Sequence, residues 1–285
     1  MVCLLLSVYS QVGIVAVSVW LCDTWLKVSD GNMMTDSILY SRTGHIGQLV
    51  LNNPERHNSL GQEQLESIQA RLAEVAADEQ VRVLIITGAG EKTFCAGASL
   101  QELGAGQING DCFQAMTGQL AELAIPTVCA LNGDVFGAGV ELALCCDFRI
   151  GVEGSRMRVP AAAIGLCYPL TGIQRFVERL GVNIAKRILV ASEEFDAEAM
   201  LDIGFLDHLV LPGQVEEVTN DLAQHIADLA PLAVRSMKAI LQQAAAGSID
   251  REQALQLSQL CSDSEDIQEG FSAQREKRKP RFKGK

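Results

Sequence analysis

Between Ile125 and Asp147 the chain reads IPTVCALNGDVFGAGVELALCCD. A Pro-led apolar run ends at Asn132-Gly133. A loop with Gly137, Ala138 and Gly139 follows, then an apolar segment carrying one carboxylate, Glu141. A strand that passes through glycines into a helix can aim backbone N–H groups at a developing negative charge. With the helix starting at Ala138, Glu141 lies about one turn on, along the same face. The spacing sets an anion-stabilising donor beside a candidate acid/base. It equally describes a buried strand–helix unit whose glutamate pairs with a neighbour, and both readings stand at this point.

The other reactive side chains are less organised. Cys95 precedes Ala-Gly-Ala and is a conceivable nucleophile, but His45, His57, His208 and His225 all lie far from it in sequence. The nine cysteines form no CxxC pair. They read as small core hydrophobes of a reducing compartment, the cytoplasm, with neither a disulfide framework nor a metal site.

These residues need elements to position them. Ile38–Tyr40 and His45–Asn52 read as strands. Ser59 with Gln62 resembles a capping box, and Leu65, Ile68, Leu72 and Val75 keep helical spacing to about Asp78. Val81–Thr87 is a continuous apolar run, as in a strand covered on both faces. Phe94–Leu103 runs into a second helix, Gly104–Gly110 is a Gly-rich connection, and a helix continues to about Leu123. Phe148–Val152 and Met157–Val159 are short strands. Strand, loop and helix recur about every 45 residues, the pattern of an α/β layered core. From Asn183 onward the segments Ile184–Val190, Ala197–Ile203, Val215–Leu229, Leu232–Ala246, Glu252–Cys261 and Asp266–Lys277 all look helical. The expected organisation is an apolar leader over 1–34, an α/β core over 35–205 and an all-helical region over 206–285.

At 48% hydrophobic and 20% charged, the 285 residues can bury a sizeable core. A net charge of -12 argues against general nucleic-acid binding. Arg275–Lys285 runs against that charge, with seven basic residues and one acidic. Leu4–Cys22 is about long enough to cross a bilayer but lacks a positive n-region. The preferred reading is a natural start at Met33 or Met34 and no membrane association. The alternative is a genuine N-terminal anchor.

Four blocks, LNNPERHNSL at 51–60, TFCAGASLQEL at 93–103, ALNGDVFGAGVELALCCD at 130–147 and SEDIQEGFSAQREKRKP at 264–280, together resemble the crotonase (enoyl-CoA hydratase/isomerase) superfamily. The resemblance spans roughly Ser37 to Lys285. It implies a spiral of ββα units with an all-helical C-terminal region, assembled as a homotrimer or a dimer of trimers. It implies an acyl-CoA thioester substrate and no cofactor beyond the CoA of that substrate. The backbone N–H groups matching the family's oxyanion hole are those of Ala98 and Ala138. Arg56 and His57 match the loop that approaches the CoA phosphates. Ala96, Ala98 and Leu100 match the stretch lining adenine and pantetheine. Lys277 and Phe282 match C-terminal positions that reach a neighbouring subunit's CoA.

The chain departs from the family pattern where hydratases carry a second glutamate. Glu141 matches the first; the second position is Ala161. Alanine transfers no proton, which sets the standard two-glutamate hydration in doubt. Ile164-Gly165-Leu166-Cys167-Tyr168-Pro169 resembles the methylmalonyl-CoA decarboxylase branch, in which the tyrosine matching Tyr168 sits by the substrate carboxylate. Ser99 stands where many relatives have aspartate and suits a helix cap. The resemblance implies a lyase of enoyl-CoA hydratase type acting through a stabilised enolate. A decarboxylase of methylmalonyl-CoA type and a non-catalytic acyl-CoA-binding protein are the alternatives.

Overall fold

The computed structural model describes residues 36–285; the expectations for the leader, including the start at Met33 or Met34, lie outside the described residues. The described residues begin with the hairpin β1 (Ile38–Thr43) and β2 (Ile46–Leu51), then helix α1 (Gln62–Ala77). Next come β3 (Val83–Gly88), β4 (Thr93–Cys95), α2 (Leu100–Gly104) and α3 (Gly110–Ala121). The central unit is β5 (Thr127–Leu131), β6 (Asp134–Phe136) and α4 (Ala138–Leu144). It leads to β7 (Phe148–Val152), β8 (Arg156–Arg158), α5 (Leu170–Leu189), β9 (Phe195–Asp196), α6 (Ala197–Asp202) and β10 (His208–Val210). Helices α7 (Val215–Ala227), α8 (Pro231–Ala245), α9 (Arg251–Ser262) and α10 (Glu265–Glu276) complete the fold.

The strands form two sheets. The larger has the order β1-β2-β3-β5-β7-β10 and the smaller β4-β6-β8-β9. β1 and β2 pair antiparallel, and the larger sheet is otherwise parallel. Successive strands thus alternate between the sheets before a helix returns the chain, which is the expected ββα spiral. The run VLIIT of β3 is apolar throughout because both faces are covered. Leu84 and Ile86 join the main core with Leu49, Phe94 and Leu142. Val83 and Ile85 point the other way, against Ala223, Ile226 and Ala227 of α7.

Several elements differ from the sequence-based expectation. Helix α1 starts from Gly61, not Ser59; the Gly61 N–H donates to Gln64 Oε1 at 2.9 Å. The Gln62 N–H donates to the Glu102 carboxylate at 3.0 Å, so a distant side chain supplies the cap. β10 pairs with β7, so the sheet continues past residue 205 and the helical region begins only at α7. Leu170–Leu180, to which the sequence reading assigned no element, is helical, and Gly181 (φ 77°) breaks α5 before its second half. Pro169 and the two glycines, 172 and 181, mask that helix in the sequence.

Candidate active site

Two loops meet at the ends of β4 and β6. Gly97 adopts φ +88°, and a Cβ there would stand 2.7 Å from the Phe136 carbonyl oxygen and 3.0 Å from the Ala138 nitrogen. Only glycine lets the backbones approach this closely. The first loop is held by backbone bonds from Leu60 N–H to Gly97 O and from Ser99 N–H to Leu60 O, both 2.8 Å. Ser99 caps α2, its Oγ accepting from the Glu102 N–H. Gly137 (φ +52°) turns the second loop into α4, which starts at Ala138. Among the described residues, neither Ala98 N–H nor Ala138 N–H donates to a backbone carbonyl. Two unengaged donors on touching loops can bind one oxygen atom.

Glu141 sits in the first turn of α4 and is fully buried. Its Oε1 accepts from Arg175 Nη1 of α5 at 2.6 Å. Among the described residues its Oε2 has no hydrogen-bond partner, nor has the Tyr168 hydroxyl. The two groups are nonetheless close enough to perturb each other. Burial pushes the Glu141 carboxyl above its ordinary range, opposed by Arg175, Tyr168 and Thr117. Burial, then the Glu141 charge, pushes Tyr168 well above the ordinary phenol value, so it remains protonated. Gly172 of α5 leaves room between them: a Cβ there would stand 2.6 Å from Tyr168 Cε1 and 2.8 Å from Glu141 Oε2. The Tyr168 ring packs edge-on against Phe176 at 5.6 Å. A bond of 3.1 Å from Thr171 Oγ1 to Gln114 Oε1 ties α5 to α3.

The remaining candidates fall into three groups. Ala161 is buried in the main core, and no carboxylate occupies its place. Arg56 and His57 are exposed on the loop before α1, and Ala96 N–H donates to the His57 carbonyl at 2.9 Å, joining that loop to the one carrying Ala98. Leu100 is exposed at the start of α2. The buried residue of the loop is Asn58, whose side-chain amide donates to Ala89 O and Thr93 O and whose Oδ1 accepts from Asn53 N–H. Lys277 ends α10, and Phe282 lies against Gly270 while its carbonyl accepts from Arg82. Arg82 precedes β3, whereas Asn58 and Phe94 pack at its far end, beside Gly88. Phe282 is therefore a strand length from the paired loops of its own chain. Cys95 is buried with its thiol pushed up to about 12, which disfavours the nucleophilic thiolate. Among the described residues no three His, Cys, Asp or Glu side chains gather as a metal site requires.

Sequence reasoning missed Arg175. Its helix was hidden, and an arginine 34 positions from the glutamate carries no local spacing signal.

The profile of the Enoyl-CoA hydratase/isomerase family matches residues 41–285, and the chain belongs to that family. It is 31% identical to the putative enoyl-CoA hydratase/isomerase YngF of Bacillus subtilis, over 88% of this chain and 100% of that protein. It is also 31% identical to a crotonyl-CoA hydratase of Syntrophomonas wolfei, over 88% and 99%. The crystal structure of an enoyl-CoA hydratase from Bacillus anthracis superposes with a TM-score of 0.79 at 30% identity, covering 87% of this chain and all of that one.

Proposed function

We propose that this chain is an acyl-CoA thioester enzyme of hydratase or lyase type, with the thioester oxygen held by Ala98 and Ala138 N–H. The observation that carries the reading is a pair of unengaged backbone donors on touching loops, one helical turn from a buried carboxylate whose second oxygen is free. In hydration, water oxygen adds to the β-carbon of an enoyl thioester and charge collects on the thioester oxygen. Each donor facing that oxygen is worth about 3–4 kcal/mol in comparable sites. Glu141 takes the proton from water and returns it to the α-carbon. A positioned acid/base contributes about 10²–10⁴-fold. Tyr168, protonated, lies beside Glu141 over Gly172.

Arg56, His57, Ala96 and Leu100 are assigned to the CoA moiety of the chain's own substrate, and Lys277 and Phe282 to that of a neighbouring copy. A homotrimer or dimer of trimers suits this assignment. Leu241, Leu255 and Phe271 of the C-terminal helices are all more than half exposed, apolar surface that another copy would cover. The free cysteines suit the cytoplasm, and no helix among the described residues is long and apolar enough to cross a membrane.

Decarboxylation of a methylmalonyl-CoA-type substrate is the second reading, favoured by Ala161 together with the buried, unpartnered Tyr168 hydroxyl. The same two donors would then hold the enolate left when carbon dioxide departs. Crotonyl-CoA hydration and methylmalonyl-CoA decarboxylation, measured on one preparation, separate the two. Thioester binding by calorimetry without turnover of either would favour a non-catalytic binder, and hydration unaffected by Glu141→Gln would remove Glu141 from the mechanism.

A further inference from the structure

Arg175 lies in a helix the sequence does not reveal, and among the described residues it makes the one hydrogen bond to the Glu141 side chain that meets ordinary geometry. Within this pair the glutamate side chain is 1% exposed and the arginine 14%, so water screens the contact little. The bond is one-sided: Oε1 is engaged by Arg175, while Oε2, also buried, lies beside the Tyr168 ring over Gly172 with no hydrogen-bond partner among the described residues.

We propose that Arg175 is the positioning residue of this site, pinning Glu141 by one oxygen as a carboxylate so that the other faces the reacting group. The inference rests on the acyl-CoA reading above. The groups around Glu141 leave this task to Arg175. Tyr168, from the loop before α5, is neutral and stays so; Thr117, from α3, does not titrate; Cys145, on Glu141's own helix, is a buried thiol pushed up by its surroundings. Arg179, one turn further along α5, acts on Cys145 and is not among the groups acting on Glu141. Burial favours the protonated acid, in which state Glu141 accepts no proton; the adjacent guanidinium opposes burial. With alanine at 161, no second carboxylate from that position competes for the arginine.

The test uses the full chain with Arg175→Met, Arg175→Lys, and Arg175→Met in a Glu141→Gln background. The first readout is thermal unfolding from pH 5 to 9. A carboxyl whose folded pKa is raised contributes stability below its unfolded pKa and loses it as pH rises through the folded one. Losing a cation at this distance raises a carboxylate pKa by about 1–3 units. Arg175→Met should therefore lose stability relative to wild type progressively as pH rises, and the progressive part should vanish in the Glu141→Gln background. Arg175→Lys should restore most of it. A loss that is the same at every pH and in both backgrounds overturns the proposal. If Arg175→Met does not fold, Arg175→Gln is read in its place.

The second readout is the pH–rate profile with the thioester that the wild type turns over best. Its acidic limb should move up by about 1–3 pH units in Arg175→Met, with kcat affected more than KM. An unmoved limb refutes the role. A wild type that turns over neither thioester defeats the acyl-CoA reading alone, because the unfolding measurements still decide whether Arg175 governs Glu141.

Discussion

Gly172→Ala sets two effects of opposite sign against each other. In an open helical position the added methyl would stabilise α5 by about 1 kcal/mol, since glycine is that much poorer than alanine in a helix interior. Here the methyl carbon would arrive 2.6 Å from a ring carbon of Tyr168 and 2.8 Å from Glu141 Oε2. Both lie well inside the ordinary contact distance of about 3.5–4.0 Å. The ring is backed by Phe176 and the carboxylate is fixed by Arg175, so neither yields freely. Overpacking of this kind costs about 1–3 kcal/mol, so the balance runs from near zero to a loss of about 2 kcal/mol. The effect on turnover is larger, because displacing an acid/base by about 1 Å costs on the order of 10²-fold. The control is Gly118→Ala in α3, where a Cβ meets nothing within 4 Å. It should raise stability by about 0.4–1 kcal/mol, or a few degrees in Tm for a chain of this size. Differential scanning calorimetry and single-turnover kinetics on both variants give the comparison. If Gly172→Ala gains as much stability as Gly118→Ala and keeps its wild-type kcat, the placement of Gly172 between Tyr168 and Glu141 is wrong.

Three further outcomes follow from the same geometry. Gly97→Ala forces a side chain into a left-handed conformation and sets a methyl 3.0 Å from the Ala138 nitrogen; kcat should fall by about 10²–10³-fold, the loss expected for one oxyanion donor, whereas unchanged hydration or decarboxylation would exclude this loop pair from the chemistry. Lys238→Met strands the Asp147 carboxylate, which Lys238 Nζ meets at 2.6 Å and which also accepts from Thr127 N–H and Oγ1. Denaturant titration should show a loss of about 3–5 kcal/mol, as for a broken buried pair, and a loss below 1 kcal/mol would mean the pair contributes as a surface pair does. The C-terminal tail should loosen in acid. Two hydrogen bonds from Arg278 and one from the Arg281 N–H hold the Glu269 carboxyl down to about 2. A depressed carboxyl contributes stability above its unfolded pKa of about 4.3, lost as pH falls through the folded value. Amide exchange at Arg281 should therefore accelerate between about pH 4 and 2, but not differentially so in Glu269→Gln.

The sequence revealed the layered core where burial and pattern agree. VLIIT could be read as a doubly covered strand because α7 and the main core do cover its two faces, and Leu65, Ile68, Leu72 and Val75 face inward at helical spacing because α1 has a single buried side. The small second sheet was mostly hidden. Its strands β6 and β9, like β10 at the edge of the larger sheet, have three residues or fewer, too short for an alternation to register, and their pairing depends on partners far along the chain. α1 shows a limit of a different kind. Its start was sought in a local Ser–Gln pair, but the Glu102 carboxylate 40 residues away supplies the cap.

The candidate site divides the same way. The unit at Ala138–Glu141 was legible because a strand, a glycine turn and a helix follow one another without interruption, so spacing alone sets the geometry. The state of Glu141 was not legible, because it depends on Arg175, Tyr168 and Gly172, which lie beyond two strands and a loop. The sequence posed two readings for this glutamate, a catalytic acid/base or a buried residue paired with a neighbour, and the proposed function joins them. Oε1 is paired as a structural carboxylate would be, and Oε2, without a hydrogen-bond partner among the described residues, is the oxygen the proposal assigns to the reacting group. A glutamate wholly satisfied by the fold would have no oxygen to offer a substrate, and one wholly unpaired at this depth would take up a proton and stop accepting others. With Ala161 in the second position, the one-sided ion pair is what would reconcile burial of Glu141 with the acid/base role proposed for it.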